Sequence, residues 1–177
     1  PNKLNVIPRE ERGSVIVSKM PSASIVYSDI AFDVSDFTVE ELEYVSLLSR
    51  VMLMTDVGDM DYSSFLSSMR FVTGAFSSIL DIGSDCNREE KDSLIFRFKS
   101  LSEHFDEALD LLLKLVKEGN FSSPDRVKAA LRDIESDYEA SVVRQAHSFA
   151  LGSASRSLTS SLYTTERTEG LMFWYRA

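Results

Sequence analysis

Apolar side chains recur in this chain with two different periods, and the two periods alternate in blocks. Residues 24–34 and 92–101 place apolar side chains at every second position, and in the second run Arg97 and Lys99 occupy the positions between them. A period of two indicates half-buried β-strands. The β-branched run at residues 14–20 and the run at residues 75–83 also favour strands.

Between these blocks the apolar period changes to that of an α-helix. Thr38 and Glu41 form a capping-box pattern, which predicts the start of a helix. The buried stripe of this helix is predicted to be Leu42, Val45, Leu48 and Met52. Gly58 interrupts the pattern, and Asp61 is placed to cap a second helix that ends near Gly74. Two helices therefore follow the first two strands.

The second half of the chain repeats this order. Ser102 is predicted to cap a helix that ends at Gly119, and Ser123, followed by proline, opens a long helix. The apolar face of the long helix is predicted to be Val127, Leu131, Ile134, Tyr138 and Val142. We expect Gly152 to interrupt it, and residues 164–177 favour one more helix.

This order of elements, ββααββαα, predicts an α+β fold with two layers, in which helices pack on one face of a mostly antiparallel sheet. The length of 177 residues suits one domain, and 44% hydrophobic content supplies a core. We predict a single domain over residues 1–177, with residues 161–177 beginning the connection to a following domain. The start at Pro1 and the aromatic-rich end favour a fragment of a longer protein.

The net negative charge of the chain argues against some classes of binding partner. Lys and Arg number 19 against 28 Asp and Glu, which gives a net charge of −9. This charge argues against nucleic acid or an anionic membrane and favours a basic peptide. The one cysteine, Cys86, forms no internal disulfide, and neither a membrane span nor a signal-peptide pattern is present. We expect a cytoplasmic (bacterial) or organelle-matrix location and no secretion.

One short pattern points towards metal chemistry. His104 and Glu107 lie one helical turn apart, as in half of a zinc-peptidase motif, but Ala108 stands where that motif needs a second His. The only other imidazole is His147. A zinc site needs at least three protein ligands. We therefore predict no metal site and keep His104, Glu107 and His147 as the remaining candidates.

Two further features are predicted to be structural. Cys86 has acidic neighbours, which oppose the thiolate that a nucleophile requires, and it is predicted to lie in a solvated polar loop. Glu40, Glu41 and Glu43 point in different directions on a helix and are predicted to form a solvated face. We predict no catalytic and no cofactor-binding residues in this chain.

Several stretches resemble one family of enzymes. Residues 24–27, 32–35 and 73–77, with the sequences SIVY, FDVS and TGAFS, are similar to a strand, a strand end and a turn in presequence-protease-type metallopeptidases of the pitrilysin and insulinase superfamily. Two departures are Ala75 in place of a Gly and Phe76 in place of an Ile. The region from residue 146 to the end resembles a His-containing long helix of that family. The similarity spans nearly the whole chain.

The resemblance implies a parent protein of two halves, each with two related α+β domains, that close as a clamshell around a peptide. It also implies zinc bound in the first domain by an H-x-x-E-H motif on the first long helix. At the matching position here, the helix that starts at Thr38 contains no His. The resemblance therefore implies the first domain of the second half, with the zinc elsewhere in the parent enzyme.

We interpret the chain as a non-catalytic domain of a zinc metalloendopeptidase that degrades presequence-like peptides. It would form part of the chamber wall and of the docking surface between the halves, with the remaining domains and unfolded, basic peptides as partners. One alternative is a stand-alone α+β interaction or scaffold module without enzymatic activity. Another is an independent metallohydrolase, which requires His104, Glu107 and His147 to converge on stoichiometric zinc.

Overall fold

The computed structural model describes residues 9–12, 15–19, 21–84 and 91–174. The strands are β1 (Arg9–Arg12), β2 (Val15–Ser18), β3 (Ile25–Asp33), β4 (Asp56–Val57), β5 (Thr73–Asp81), β6 (Ser93–Leu101) and β7 (Gly119–Asn120). The helices are α1 (Val39–Met52), α2 (Tyr62–Val72), α3 (Phe105–Glu118), α4 (Pro124–Arg144), α5 (Ala146–Ser155), α6 (Ser160–Thr168) and α7 (Leu171–Trp174).

The predicted α+β class is confirmed. Strands β3, β6 and β5 form a three-stranded antiparallel sheet in that order, with β6 in the centre. The element order is longer than the predicted ββααββαα, since α5, α6 and α7 follow α4. Strands β1 and β2 pair with each other in a separate two-stranded sheet, and β4 and β7 form another. None of these four strands belongs to the main sheet.

Helices cover one face of this sheet. On β6, Phe96 and Phe98 point into the core, while Arg97 and Lys99 point to solvent, which confirms the predicted alternation. The main core is built from α2, α3 and the central strand, because their apolar stripes meet there. Its buried members are Met52, Val57, Phe65, Met69, Val72, Phe96, Phe98, Ala108, Leu112 and Leu115.

Three of the four predicted helix caps are confirmed. Thr38 and Glu41 form the capping box of α1, and the Asp61 side chain accepts a hydrogen bond from the Ser64 backbone N–H at 2.9 Å. Ser123 caps α4. Ser102 does not cap α3, because residues 102–104 form a 3-10 turn and α3 starts at Phe105. Leu101 precedes that turn in extended conformation without a side-chain cap.

Two other local predictions are wrong. Leu48 is exposed, and the small side chains of Ser46 and Ser49 are buried in its place, which lets α1 lie close to the sheet. Ser78 on β5 bonds to the Ser49 carbonyl oxygen at 3.2 Å. The long helix breaks at Gln145 and not at Gly152, which lies inside α5. A side chain there would meet the Glu166 carboxylate, so this glycine permits close packing of α5 on α6.

Across the ranges that the structure describes, no helix combines the length and the apolar character needed to cross a bilayer.

Candidate functional site: an apolar groove beside α4

The structure places the three candidate metal ligands on three elements. His104 ends the 3-10 turn before α3, with its Nδ1 atom 3.7 Å from a Glu107 carboxylate oxygen, while His147 lies exposed on α5. Ala108 is fully buried in the core, so the position of the missing motif His faces away from solvent. No three His, Cys, Asp or Glu side chains come together as a metal-binding group within the described part of the chain. The residues seen here therefore do not fit zinc.

The other two candidates have different outcomes. Cys86 lies outside the residues that the structure describes. The prediction of a solvated acidic face on α1 holds for Glu40, whose side chain is 70% exposed at 3.5 Å from Arg167. It is wrong for Glu43, which is only 20% exposed and binds Arg167 on α6. Glu41 is the exposed capping residue. Sequence reasoning missed this interface because Glu43 and Arg167 are separated by 124 residues along the chain.

Arg167 fastens α6 to α1 through a polar interface. Its guanidinium pairs with Glu43, lies 3.5 Å from Glu40 and donates a hydrogen bond to the Tyr163 hydroxyl at 3.0 Å. The bond to Glu43 raises the pKa of Arg167 above its usual value. Since the Arg167 side chain is only 9% exposed, this pair is largely withdrawn from water. Loss of the Arg167 guanidinium would remove a charged partner from the Glu43 carboxylate, which is only 20% exposed.

An open groove runs between α1, α4 and α7, and we call it the α4 groove. Its volume is about 560 Å³, which lies in the range of ligand-binding clefts. The apolar residues that line it are Leu47, Leu131, Ile134, Val142, Leu171 and Trp174. A second hollow of about 430 Å³ shares Ile134 and Tyr138 with the groove and is also lined by Arg50 and Phe76.

The groove exists because the apolar stripe of α4 is only partly covered. The predicted stripe is present, but along the whole of α4 only Ala130 and Ile134 are buried. Val51 and Trp174 cover Ile134 from α1 and α7, whereas Leu131 remains 37% exposed. A partly covered apolar stripe on a long helix leaves a hydrophobic surface facing solvent. This surface forms the floor of the α4 groove.

Aromatic rings form one end of the groove. Tyr138 stacks on Trp174 with 4.1 Å between ring centroids, and Phe149 on α5 meets Tyr138 edge-on at 5.4 Å. The Arg50 guanidinium lies 5.9 Å from the Trp174 ring centroid. Of the aromatic residues near the end of the chain, Phe173 is buried and Trp174 is half-buried. Stacked rings with few rotatable bonds make this end of the groove rigid.

Carboxylates border the groove. Glu135 and Glu139 line it, and among the described lining residues Arg132 is the cation. From residue 133 to residue 143, α4 carries four carboxylates and no Lys or Arg. They are Asp133, Glu135, Asp137 and Glu139. The sequence carried a signal for this site that reasoning missed, since the acids alternate with the apolar positions Ile134 and Tyr138.

Comparison with known proteins identifies the family. The fold is a two-layer α+β domain, and the described residues hold no metal-ligand group. A model of the family described as associated with subfamily C of the M-16 peptidases matches residues 2–175. The chain belongs to this family of peptidase-associated domains.

The chain is also similar to part of a much longer curated protein. The chain is 22% identical over 152 residues to Protein HypA of Clostridium perfringens, strain 13 / Type A. The match covers 85% of this chain but 16% of the relative, so the chain spans about a sixth of that protein's length.

Proposed function

We propose that this chain is a non-catalytic domain of a zinc-dependent metalloendopeptidase of the presequence-protease type. The observation that carries the proposal is the match of nearly the whole chain to a family of peptidase-associated domains. The pitrilysin and insulinase resemblance noted above supports it. The zinc and its ligands belong to another domain of the parent enzyme, in a cytoplasmic or organelle-matrix compartment.

In this proposal the domain forms part of the chamber wall and of the docking surface between the two halves of the parent. Exposed apolar side chains form this docking surface, because they are stabilised when a neighbouring domain covers them. The most exposed of them are Val143, Phe71, Tyr44, Leu158 and Leu151. The remaining domains of the parent peptidase are the proposed partners.

The negative charge of the domain has a role in the same proposal. A net charge of −9 attracts basic, unfolded peptides at long range, and salt weakens such attraction because the Debye length shortens. We expect the parent enzyme to lose catalytic efficiency towards basic peptides as ionic strength rises. Its efficiency towards neutral peptides of the same length should change far less. Equal responses to salt would contradict this part of the proposal.

The main test begins with the zinc content of the 177-residue chain, purified without chelator or metal-affinity resin. We expect no stoichiometric zinc and no peptide cleavage by this chain. A parent enzyme from which the segment is deleted should bind zinc but cleave poorly, and added segment should restore cleavage. One zinc per chain that is lost in His104→Ala would overturn the non-catalytic assignment.

A further inference from the structure

We propose that the hairpin of β1 and β2 docks on the free edge of β3 and extends the main sheet from three strands to five. Among the strands that the structure describes, β3 pairs with β6 alone, so its other edge is free over nine residues. A free strand edge carries backbone N–H and C=O groups that can pair with another strand. Docking closes this edge with a segment of the same chain, and the proposal does not depend on the proposed function.

The turn before β3 has the geometry that joins two neighbouring antiparallel strands. Ala23 and Ser24 have positive φ angles of 49° and 64°. The Ile25 backbone N–H donates a hydrogen bond to the Ser22 carbonyl oxygen at 3.0 Å. Two central residues with positive φ, closed by such a bond, are typical of a type I′ turn, which connects the strands of a β-hairpin through two residues. The chain ahead of this turn is therefore directed back along β3.

The turn determines which residues of β2 and β3 face each other in the docked form. Counted from the two residues that close the turn, Val17 lies opposite Ile30, and Val15 lies opposite Phe32. Ile30 packs against the main core, and Phe32 meets Phe96 edge-on at 6.0 Å between ring centroids. Val15 and Val17 are 57% and 37% exposed in the structure. Docking removes apolar surface of both from water and is favoured for that reason.

The opposite face of the docked strand matches its neighbours too. Ile16 lies opposite Ala31, Ala31 is paired with Ile95 on β6, and Ile95 is paired with Ile79 on β5. Together these side chains form an apolar row across the open face of the sheet. A shift of β2 by one residue would turn both valines to the open face and leave one apolar side chain for the covered face. The pattern of β2 therefore favours one register.

The free edge of β3 presents its backbone groups at alternate residues. The Ser102 backbone N–H donates to the Ser24 carbonyl oxygen at 2.8 Å, and this pair continues the register of β3 on β6. Bonded and non-bonded pairs alternate along an antiparallel ladder. Even-numbered residues of β3 therefore bond to β6, and odd-numbered residues such as Asp29 and Ala31 direct their N–H and C=O groups to the free edge.

The hairpin presents its own backbone groups in the matching order. Two residues separate β1 from β2, so the pair next to this loop is bonded, and Ile16 and Ser18 direct their backbone groups away from β1. In the docked register Ile16 bonds to Ala31, and Ser18 bonds to Asp29. Pro21 has no N–H, but it occupies a non-bonded position of this register, where the missing donor costs no bond to β3.

Hydrogen exchange of the full chain, followed by NMR, tests whether the edge is closed. The amides of Asp29 and Ala31 should exchange at least about tenfold more slowly than exposed amides do. Ser18→Pro removes the N–H that bonds to Asp29 in the docked form and leaves the bonded pairs between β1 and β2, so both amides should lose most of this protection. The amide of Ile30, which bonds to β6, is the internal reference and should stay protected in both chains.

A disulfide tests the register, with Cys86→Ser as the background. Val17→Cys with Ile30→Cys places two thiols on a non-bonded pair, where a Cα separation of about 4.5 Å suits a disulfide. Ile16→Cys with Ile30→Cys is the matched control, because a displacement of one residue points the two thiols to opposite faces. In dilute protein under mild oxidation, the first pair should close within one chain at least about tenfold faster than the control. Far-UV circular dichroism checks that both variants remain folded.

Three results would overturn the docked hairpin. They are exchange of the Asp29 and Ala31 amides at the rate of exposed amides, equal protection with and without Ser18→Pro, and equal rates of oxidation in the two cysteine pairs. Protection that Ser18→Pro removes, together with rapid closure of the first cysteine pair alone, would support docking in the proposed register.

Discussion

The sheet with α2 and α3, and the C-terminal helices α4 to α7, are held together by different means. The first region encloses a continuous apolar core, with Leu112 and Leu115 fully buried under Phe96 and Phe98. In the second region α5 buries no residue, and the four buried residues of α6 are all polar or charged. The first region therefore depends on hydrophobic burial, and the second depends more on a polar interface with α1.

The first region therefore determines the fold, and the second region provides surface that a partner can contact. A region with little apolar burial has a lower local stability, and its uncovered apolar side chains remain available to partners. The α4 groove and the exposed side chains of Val143 and Leu151 all lie in the second region. The two regions can be compared directly, because Trp174 reports on the second region alone while circular dichroism reports on the whole chain.

The largest expected effect is a cavity in the first region. Leu112→Ala removes a fully buried side chain and should lower the free energy of unfolding by about 3 kcal/mol. Leu151→Ala is the same deletion at a position that is 70% exposed in α5, and it should cost less than about 0.5 kcal/mol. Urea denaturation followed by circular dichroism measures both. Similar losses in the two variants would mean that burial does not distinguish the regions.

The next effect concerns the polar interface of the second region. Arg167→Met removes the guanidinium that pairs with Glu43, whose side chain is 20% exposed, and should cost about 2 kcal/mol. The transition seen by Trp174 fluorescence should move to lower urea than the transition seen by circular dichroism. Arg97→Met is the control, since its pair with Asp29 lies on the exposed face of the sheet. It should shift both transitions slightly and equally.

A double variant sharpens this result. In Arg167→Met with Glu43→Gln, the carboxylate charge is removed together with the guanidinium that pairs with it, so the loss should be smaller than that of Arg167→Met alone. A larger loss would show that the side chains contribute through packing and not through charge.

The sequence predicted the features that depend on neighbours along the chain. The caps at Thr38 and Ser123 and the alternation on β6 involve residues within a few positions of one another, so local patterns determine them. Two of the features that were missed depend on contacts between distant residues. The pairing of Glu43 with Arg167 and the partial cover of Leu131 by other helices leave no local pattern.

A smaller effect is expected at the two confirmed caps that start α1 and α4. Thr38→Ala removes the hydroxyl that accepts the Glu41 backbone N–H at 3.3 Å and donates to the Glu41 carboxylate at 3.0 Å, and should cost about 1 kcal/mol. Ser123→Ala removes a single, longer bond of 3.4 Å and should cost about half as much. Since α1 contacts both the sheet and α6, Thr38→Ala should shift the fluorescence and circular dichroism transitions together. A greater cost at Ser123 would contradict the prediction.

The smallest expected effect is on the pH dependence of the free energy of unfolding. The contributions of Glu169 and Asp29, one in each region, should change in opposite directions as the pH rises. Burial raises the pKa of Glu169 above its ordinary value of 4.5, against the attraction of Arg50 at 3.6 Å. The folded state therefore binds this proton more tightly than the unfolded chain does. The stability that this gives is present below pH 4.5 and is lost as the pH rises through the raised pKa. On the sheet, the hydrogen bond from Arg97 lowers the pKa of Asp29, so its contribution is lost as the pH falls.

Two variants isolate these opposite signs. Glu169→Gln should match the unmodified chain in stability below pH 4.5 and become the more stable of the two as the pH rises. Asp29→Asn should become less stable than the unmodified chain as the pH rises through the acid range in which Asp29 ionises. The Glu169 side chain is 38% exposed, so solvent keeps its effect small. Urea denaturation at a series of pH values measures both differences. If the unmodified chain instead gains stability over Glu169→Gln with rising pH, attraction to Arg50 outweighs burial, and charge stabilises this end of α6 as it does at Arg167.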